Sequence, residues 1–371
     1  MQNQLRSMKD DWQRGWLCAR AAVSLAGMLR VLLVSLLLVC PSVAKAEEVL
    51  PKHMTPETLK AIRAGLDYLA RTQADDGAWR EGQGGQAYPV AMSSLACMAL
   101  LANGNTPSRG RYSQNLQLGT EYLVKCSTKS GLITGSNQDS GSPMHGHGFA
   151  LMFLASVYGT ETKESLRKST FDAVVGGVDL TAKGQSGAGG WTYIPGSGDE
   201  GSVTVTQVQA LRAAHNAGFD VPRGTIENAV KYIERCSTPE GGISYSLGSG
   251  GGPRLAISAA AVATLYNAGD YDSPVAKRCL DYVWQHFVAT EQWSKGGGHD
   301  FYTHLYASQA FYMAGDEYWD KYFPAVREQL LNSQDKSDGS WQGDGIGKTY
   351  GTSIALVVLQ LPYKFLPVYQ R

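Results

Sequence analysis

The sequence has no surplus of charge of either sign, since 33 Lys and Arg residues balance 33 Asp and Glu residues. It lacks the clustered basic residues of a nucleic-acid-binding protein and the CxxC spacing of a structural zinc site. After the first 46 residues it also lacks any apolar run of membrane-spanning length. We therefore expect no nucleic-acid partner and no membrane span in the remainder of the chain. The full chain of 371 residues, with 43% hydrophobic and 18% charged residues, has an ordinary globular composition.

The first 46 residues have the features of a secretory signal. Arg14, Arg20 and Arg30 precede an apolar core at residues 31–39, and small residues at Ala44 and Ala46 form a cleavage site. We expect cleavage near Ala46, a secreted or periplasmic location, and one domain over residues 47–371. An uncleaved N-terminal anchor is the alternative, because the basic stretch is unusually long. Cleavage would leave 27 basic and 31 acidic residues, a net charge of −4.

One motif recurs along the chain. Its full copy is Gly65-x2-Tyr-Leu-x3-Gln73-x3-Gly77-x-Trp79, and a shorter copy ends in Gly189 and Trp191. A third copy carries Gln334, Gly339 and Trp341, while copies at residues 127–133 and 237–243 keep only the glycine. Gly permits a tight turn, Gln bonds groups left open at a helix end, and Trp buries a large apolar area. We assign a structural role to these residues, with the glycine as the strictest requirement.

Two kinds of predicted helix alternate along the chain, one of each kind in every repeat. The first kind is amphipathic, as in the first member, where Leu59, Ile62, Leu66 and Leu69 share one face. The second kind is rich in Ala and apolar nearly all round, which predicts burial on most sides. The amphipathic helices are predicted at residues 58–71, 112–125, 164–180, 224–235, 274–287 and 318–332, and the apolar helices at 91–102, 149–158, 205–217, 256–268, 302–314 and 352–361.

This alternation predicts an all-α fold, a double ring of about six outer and six inner helices called an α/α toroid. A period of roughly 45–60 residues is typical of helical repeat proteins. An open solenoid is the alternative, but it needs polar terminal repeats that the sequence does not show. We expect thiols rather than disulfides at Cys97, Cys126, Cys236 and Cys279, because Cys126 and Cys236 occupy equivalent repeat positions, which a ring holds apart.

The motif resembles the QW repeat of squalene and oxidosqualene cyclases, and the helix alternation is similar to the β-subunits of protein prenyltransferases. The resemblance covers residues 54–367 and implies the toroid. It does not imply either activity. The Asp-x-Asp-Asp acid motif of the cyclases is reduced to Asp75-Asp76 inside a repeat turn, and the Asp-x-Cys zinc pair of the prenyltransferases aligns with Asp300-Phe301-Tyr302. The Gly-Cys-Gly-Glu-Gln sequence of complement-type thioester domains, which share the fold, does not occur.

In such rings the N-terminal ends of the inner helices line a central cavity, where helix dipoles and free N–H groups converge. We therefore place the candidate site there, since four of the seven histidines occur near two of these ends. The candidate catalytic residues are His145, His147, His304, Tyr302 and Asp300, and the candidate substrate-binding residues are Arg254, Gln207, Tyr88 and Tyr350. His145 and His147 would face one ligand if the chain there is extended.

Three interpretations of these residues remain open. They bind no cofactor and catalyse proton transfer, with His and Tyr as acid and base, in the manner of polysaccharide lyases that use an α/α toroid. Alternatively, His145, His147, His304 and Asp300 hold a zinc ion. Alternatively, they form a non-catalytic binding or scaffold module, or the histidines are packed inside the ring with their hydrogen bonds satisfied. We expect a protein similar to the terpenoid cyclases and prenyltransferases that binds a small apolar, terpenoid-like molecule or a polymeric one in the central cavity, and as an enzyme transforms it there. The sequence names no specific substrate, protein partner or oligomeric state.

Overall fold

The computed structural model describes residues 50–81, 88–135, 141–249, 251–288 and 299–369. The predicted signal segment, residues 1–46, lies outside the described residues. Twelve α-helices occur in the described part, all within one compact unit that begins at Pro51. None of the described helices is long and apolar enough to cross a membrane.

The outer and inner helices alternate strictly. The outer helices are α1 Pro56–Thr72, α3 Ser113–Lys125, α5 Glu164–Lys183, α7 Arg223–Arg235, α9 Pro274–Val288 and α11 Asp316–Ser333. The inner helices are α2 Pro89–Leu101, α4 Pro143–Val157, α6 Gly201–Asn216, α8 Leu255–Asn267, α10 Asp300–Ala314 and α12 Lys348–Gln360. The predicted double ring is confirmed.

Each inner helix packs on the inner helices before and after it, and α12 packs on α2 and α1, so the ring closes. All thirteen residues of α2 and twelve of the thirteen residues of α12 are buried, as an apolar helix surrounded by neighbours requires. The outer helices bury one stripe only. In α1 that stripe includes Ile62, Leu66 and Leu69.

Glutamine side chains fasten each complete repeat turn to the next outer helix. Gln73 donates its Nε2 hydrogens to the carbonyl oxygen of Gly77 in its own turn, at 2.9 Å, and to that of Asn115 in α3, at 3.0 Å. Gln185 repeats the arrangement with Gly189 and Thr225, each at 2.8 Å. Each glutamine thus donates to carbonyl oxygens of two elements at once. It does not only cap its own helix end, as the sequence predicts, but also joins its turn to the next outer helix.

The glycines of these turns have two reasons to be glycine. Gly77 and Gly189 have φ angles of +91° and +95°, which L side chains rarely adopt. A Cβ at Gly77 would lie 2.2 Å from the Leu118 carbonyl oxygen, and one at Gly189 would lie 2.4 Å from that of Asn228. Close approach to the next outer helix therefore adds to the conformational requirement, and this explains why incomplete motif copies keep the glycine.

The tryptophans of the three complete repeat turns are fully buried, and each donates hydrogen bonds from its indole Nε1 and from its backbone N–H. The indole Nε1 of Trp79 donates to the Leu69 carbonyl oxygen at the end of α1, and its backbone N–H donates to Ser93 Oγ of the inner helix α2, both at 2.9 Å. Trp191 and Trp341 make the equivalent pairs of bonds. A Cβ at Gly65 of α1 would lie 2.7 Å from the ring of Trp341, so the last tryptophan packs on the first outer helix.

The centre of the ring is filled at the C-terminal ends of the inner helices. Gln209 of α6 donates to Gln309 Oε1 of α10 at 2.6 Å across the ring, and both residues are buried. The C-terminal residues Leu366, Val368 and Tyr369 are also buried, and Tyr369 contacts Met152 of α4. The space inside the ring is therefore confined to the N-terminal side.

Candidate functional site

A cavity of about 890 Å³ lies where the N-terminal ends of the inner helices converge. All six inner helices, or the residues just before them, contribute to its wall. The lining is mostly apolar and aromatic, and the residues of this kind are Ala91, Met92, Leu95, Phe149, Leu255, Ala256, Ile257, Phe287, Ile346 and six tyrosines. A concave apolar site of this size is typical of small-molecule binding.

Besides the tyrosines, the polar lining residues are Ser142, His145, Ser202, Arg254, His286, His299, Asp300 and Thr303. The predicted residues Tyr88, His145, Arg254, Tyr302 and Tyr350 line this cavity together with Asp300. Asp300 is the one carboxylate among its described lining residues. The structure thus brings together six of the nine predicted site residues and leaves out His147, His304 and Gln207.

His145 is joined to a buried carboxylate through a serine. Its Nε2 lies 3.2 Å from Ser202 Oγ, and that hydroxyl lies 2.7 Å from each carboxylate oxygen of Glu200. Glu200 is 2% exposed and also accepts the backbone N–H of Val203 at 2.6 Å. Burial lowers the pKa of His145, and the negative charge of Glu200 raises it in part.

Two tyrosines connect this group to an arginine. The ring of Tyr193 lies 5.7 Å from that of His145, and its hydroxyl shares a hydrogen bond with the hydroxyl of Tyr245. The guanidinium carbon of Arg254 lies 4.6 Å from the centre of the Tyr245 ring. His145, Tyr193, Tyr245 and Arg254 therefore form a continuous polar surface on one side of the cavity, which we call the His145–Arg254 surface.

Arg254 forms no ion pair with a carboxylate of the described residues. The Arg254 side chain is exposed and lines the cavity. Arg254 is the residue just before α8, and its side chain does not cap the N-terminus of that helix. A guanidinium in this position is available to a planar anionic group such as a carboxylate.

His147 lies on the other face of α4. The extended chain that would let His145 and His147 face one ligand is not formed, because α4 begins at Pro143 and includes both histidines. Positions i and i+2 of a helix point in different directions. The Nδ1 of His147 accepts the backbone N–H of Ile133 at 3.1 Å, and its Nε2 lies 3.0 Å from Thr181 Oγ1 of α5.

The structure therefore gives His147 a place in the repeat. Its bond from Ile133 is equivalent to the bond that Ser93 accepts from Trp79 and that Thr204 accepts from Trp191. Complete burial lowers the pKa of His147 to about 4. In this repeat the neutral imidazole of His147 accepts, through Nδ1, the hydrogen bond from the turn that a Ser or Thr hydroxyl of the inner helix accepts in those two repeats.

His304 and Gln207 also lie outside the central cavity. The Nδ1 of His304 is 3.0 Å from the hydroxyl of Tyr322 in α11, and the residue lines a second space of about 410 Å³ between α10, α11 and α12. Gln207 is fully buried and donates to the Met144 carbonyl oxygen of α4 at 2.8 Å. Among the described residues, no group of three or more His, Cys, Asp or Glu side chains is placed to hold a metal ion.

The hydroxyl of each of the two predicted inner-helix tyrosines donates a hydrogen bond, that of Tyr302 across the ring and that of Tyr350 within its own repeat. Tyr302 donates its hydroxyl hydrogen to the carbonyl oxygen of Ser202 at 3.0 Å, and Tyr350 donates to Asp344 at 3.3 Å. Burial raises the pKa of both phenols. Asp344 in turn accepts the backbone N–H groups of Phe301 and Tyr302 and so caps α10.

Sequence reasoning did not single out Tyr193, Tyr245, Ser202, Glu200 and Asp344. The first two lie in or beside repeat turns, which the sequence indicates as structural. Glu200 is three residues before Val203 at a helix start, a spacing typical of a cap. Tyr245 is brought beside Glu200 and Ser202 by contacts between two consecutive repeats, among them the hydrogen bond from the Gly201 backbone N–H to the Tyr245 carbonyl oxygen at 2.9 Å.

No protein-family profile matches the sequence, and no curated protein matches it significantly. Solved structures match along most of their length. A type II terpene cyclase from Scytonema, in complex with geranylgeranyl dihydroxybenzoate, is 14% identical with a TM-score of 0.56, over 84% of this chain and 98% of that one. The chain is an α/α toroid.

Other toroids with similar structures have different activities. An α-1,6-mannanase from Salegentibacter sp. HEL1_6, in complex with α-1,6-mannotriose, is 10% identical with a TM-score of 0.59, over 83% of this chain and 99% of that one. A D-mannose isomerase is 12% identical with a TM-score of 0.58, over 84% and 99%. At these identities the likeness shows the fold alone, so the activity of this toroid has to be argued from its own cavity.

Proposed function

We propose that this protein is an exported enzyme that binds an amphiphilic substrate in the central cavity of the toroid and acts on it by acid–base catalysis. The substrate has an apolar, isoprenoid-like body and an anionic end. The observation that carries the proposal is the cavity of about 890 Å³, whose wall is mostly apolar and aromatic and whose Arg254 has no carboxylate partner among the described residues.

The two parts of the cavity suit the two parts of such a ligand. Burying an isoprenoid chain against Met92, Leu95, Phe149 and Ile257 removes apolar surface from water, at about 25 cal/mol per Å². A carboxylate at Arg254 gains two parallel hydrogen bonds with the guanidinium. The ligand named with the Scytonema cyclase, geranylgeranyl dihydroxybenzoate, also joins an isoprenoid chain to a polar aromatic acid, which supports this class.

The lining is less suited to glycoside hydrolysis. That reaction ordinarily requires a pair of carboxyl groups flanking the scissile bond, and Asp300 is the one carboxylate among the described lining residues. His145 is a group of a different kind: a partly exposed imidazole with a buried charge behind it. It suits proton transfer to or from a bound ligand.

Binding is tested with geranylgeranoic acid and geranylgeraniol, which differ at the head group, by isothermal titration calorimetry. We expect the acid to bind more tightly, and Arg254→Ala to reduce its affinity at least tenfold while leaving the alcohol unchanged. Arg223→Ala is the matched control, because Arg223 is an exposed arginine that pairs with Glu227 on the outer helix α7. Ala256→Trp fills the cavity and should abolish binding of both probes.

The proposal is overturned if neither probe binds, or if Ala256→Trp leaves binding intact. Binding without turnover of any supplied amphiphile, together with unchanged affinity in His145→Gln, would instead favour a non-catalytic binding module.

A second candidate is cleavage of an anionic polysaccharide by β-elimination. The His145–Arg254 surface favours it, because an arginine beside a uronate carboxylate and a nearby His or Tyr are groups that this chemistry uses. Incubation with polyuronates, monitored by the ultraviolet absorbance of the unsaturated product, tests it directly. If the wild type forms this product and both Arg254→Ala and His145→Gln do not, the substrate is an anionic polysaccharide and not an isoprenoid amphiphile.

A further inference from the structure

The contacts of Glu200, Ser202 and His145 determine where the histidine carries its proton. Glu200, as a carboxylate, has only acceptor oxygens. Those oxygens accept the backbone N–H of Ser202, at 2.9 Å, and that of Val203, at 2.6 Å. Ser202 Oγ, at 2.7 Å from both oxygens, therefore donates its single hydrogen to Glu200.

The serine hydroxyl then has only lone pairs to offer to His145. A hydrogen bond over the 3.2 Å between His145 Nε2 and Ser202 Oγ requires the hydrogen to be on Nε2. In the neutral ring this leaves Nδ1 as the acceptor. The nearest described protein partner of Nδ1 is Ser142 Oγ at 3.5 Å, a long contact, and Ser142 itself lines the cavity.

We propose that Glu200 and Ser202 are positioning residues that hold His145 as the Nε2–H tautomer and present Nδ1 to the cavity as a proton acceptor. This inference rests on the proposed function and deepens it, because it makes His145 the general base. A bound ligand transfers a C–H or O–H proton to Nδ1, its bonding electron pair stays on the ligand, and the ring becomes an imidazolium with a hydrogen on each nitrogen.

The surroundings support this direction of proton transfer. The imidazolium keeps its Nε2–H bond to Ser202, whose hydroxyl remains bonded to the negative charge of Glu200. Three groups face His145: Ser142, just before its own helix α4, Tyr193, in the loop between α5 and α6, and Ser202, on α6. The anion formed on the ligand lies in the cavity that Arg254 also lines.

The fold holds this arrangement in place at several points. Glu200 donates its backbone N–H to the Trp191 carbonyl oxygen at 2.8 Å, which ties it to a repeat turn. The Ser202 carbonyl oxygen accepts the Tyr302 hydroxyl at 3.0 Å from across the ring. The backbone of Ser202 is thus held by α10 as well as by its own helix, and its hydroxyl is held by the carboxylate of Glu200.

The experiment is a long-range ¹H–¹⁵N correlation spectrum of the ligand-free protein labelled with ¹⁵N-histidine, with His145 assigned from the signal that His145→Gln removes. We expect protonated Nε2 and unprotonated Nδ1 at neutral pH. Ser202→Ala should give a mixture of tautomers and a lower titration midpoint, because the imidazolium loses its acceptor. Ser202→Thr keeps a hydroxyl and should restore the wild-type spectrum.

Ser142→Ala is the control on the other ring nitrogen and should keep the Nε2–H tautomer. Circular dichroism should show Ser202→Ala folded, since Glu200 still caps the helix through the backbone N–H groups of residues 202 and 203. An Nδ1–H tautomer in the wild type, or a Ser202→Ala spectrum equal to the wild type, overturns the proposal. Because no ligand is present, that failure is independent of the binding experiments above.

Discussion

Gln334 and Ala61 are joined by a hydrogen bond of 2.9 Å, from the Nε2 of the last repeat turn to a carbonyl oxygen of the first helix. The same side chain donates to Gly339 in its own turn, also at 2.9 Å. The bond is equivalent to those that Gln73 and Gln185 make between consecutive repeats. The junction between the two ends of the domain is therefore built like an internal one.

This junction predicts the cost of removing Gln334. Gln334→Ala loses two hydrogen bonds to carbonyl oxygens at a buried position, and each such bond contributes about 1 kcal/mol. We expect the free energy of unfolding in urea to fall by about 2 kcal/mol. Gln185→Ala is the matched internal variant and should lose as much; a loss for Gln334→Ala of half that value or less would mean that the ring is not closed in solution.

The turn glycines allow conformational strain to be separated from steric clash. Gly218 has a φ of +88° with open space around its Cβ position, whereas Gly189 has a φ of +95° and a carbonyl oxygen at 2.4 Å. Gly218→Ala should cost only the strain of the left-handed conformation, about 1–2 kcal/mol. Gly189→Ala should cost about 1–3 kcal/mol more, because the Asn228 backbone has to move. Chemical denaturation of both variants measures the difference, and equal losses would contradict the close approach.

Burial of His147 predicts a loss of stability in acid. Its pKa of about 4 in the folded protein lies below the value of about 6.5 for an unfolded chain. The unfolded state therefore binds the proton first, so the contribution is fully present above pH 6.5 and is lost as the pH falls to about 4. For a fully buried ring the loss is about 3 kcal/mol.

His147→Asn supplies an acceptor for the Ile133 backbone N–H without a titrating ring. We expect its free energy of unfolding to fall less steeply between pH 6.5 and 4 than that of the wild type. His215→Asn, at an exposed position of α6, is the control and should follow the wild-type curve. Parallel curves for wild type and His147→Asn would contradict the buried neutral histidine.

The four described cysteines are thiols, as the sequence predicted, and they differ in accessibility. Burial raises the pKa of Cys97, and that of Cys279 to about 12, while Cys126 is half-buried. The thiolate is the reactive species. We expect iodoacetamide to modify Cys126 in the native protein and Cys97 and Cys279 only after unfolding, as measured by peptide mass spectrometry. Native labelling of Cys97 at the rate of Cys126 would show that the ring opens.

Much of the fold was predictable because it depends on local patterns. Alternating amphipathic and apolar helices, with a left-handed glycine in each turn, permit few arrangements other than a double ring. The inner helices begin earlier than predicted: α4 begins at Pro143 rather than at residue 149. Pro and Gly near a helix start conceal its first turn in the sequence, although Pro is well suited to that position.

The candidate site was only partly predictable. The expectation that polar residues at the inner-helix mouths line one cavity holds for His145 and Arg254, whereas His147 and His304 are bonded to outer helices. A sequence pattern indicates which residues lie near a helix end. It does not show which face of the first turn meets the cavity, because a shift of two residues reverses the direction of the side chain.

The sequence by itself determined the repeat, the two classes of helix and the glycine turns, since periodicity and backbone conformation are properties of short segments. Only the tertiary structure decided the cavity and the groups within it. Arg254 and Tyr245 meet within one repeat, but His145, Tyr193 and Glu200 reach them through contacts between repeats. Such contacts depend on how consecutive units pack, and no single segment encodes that packing.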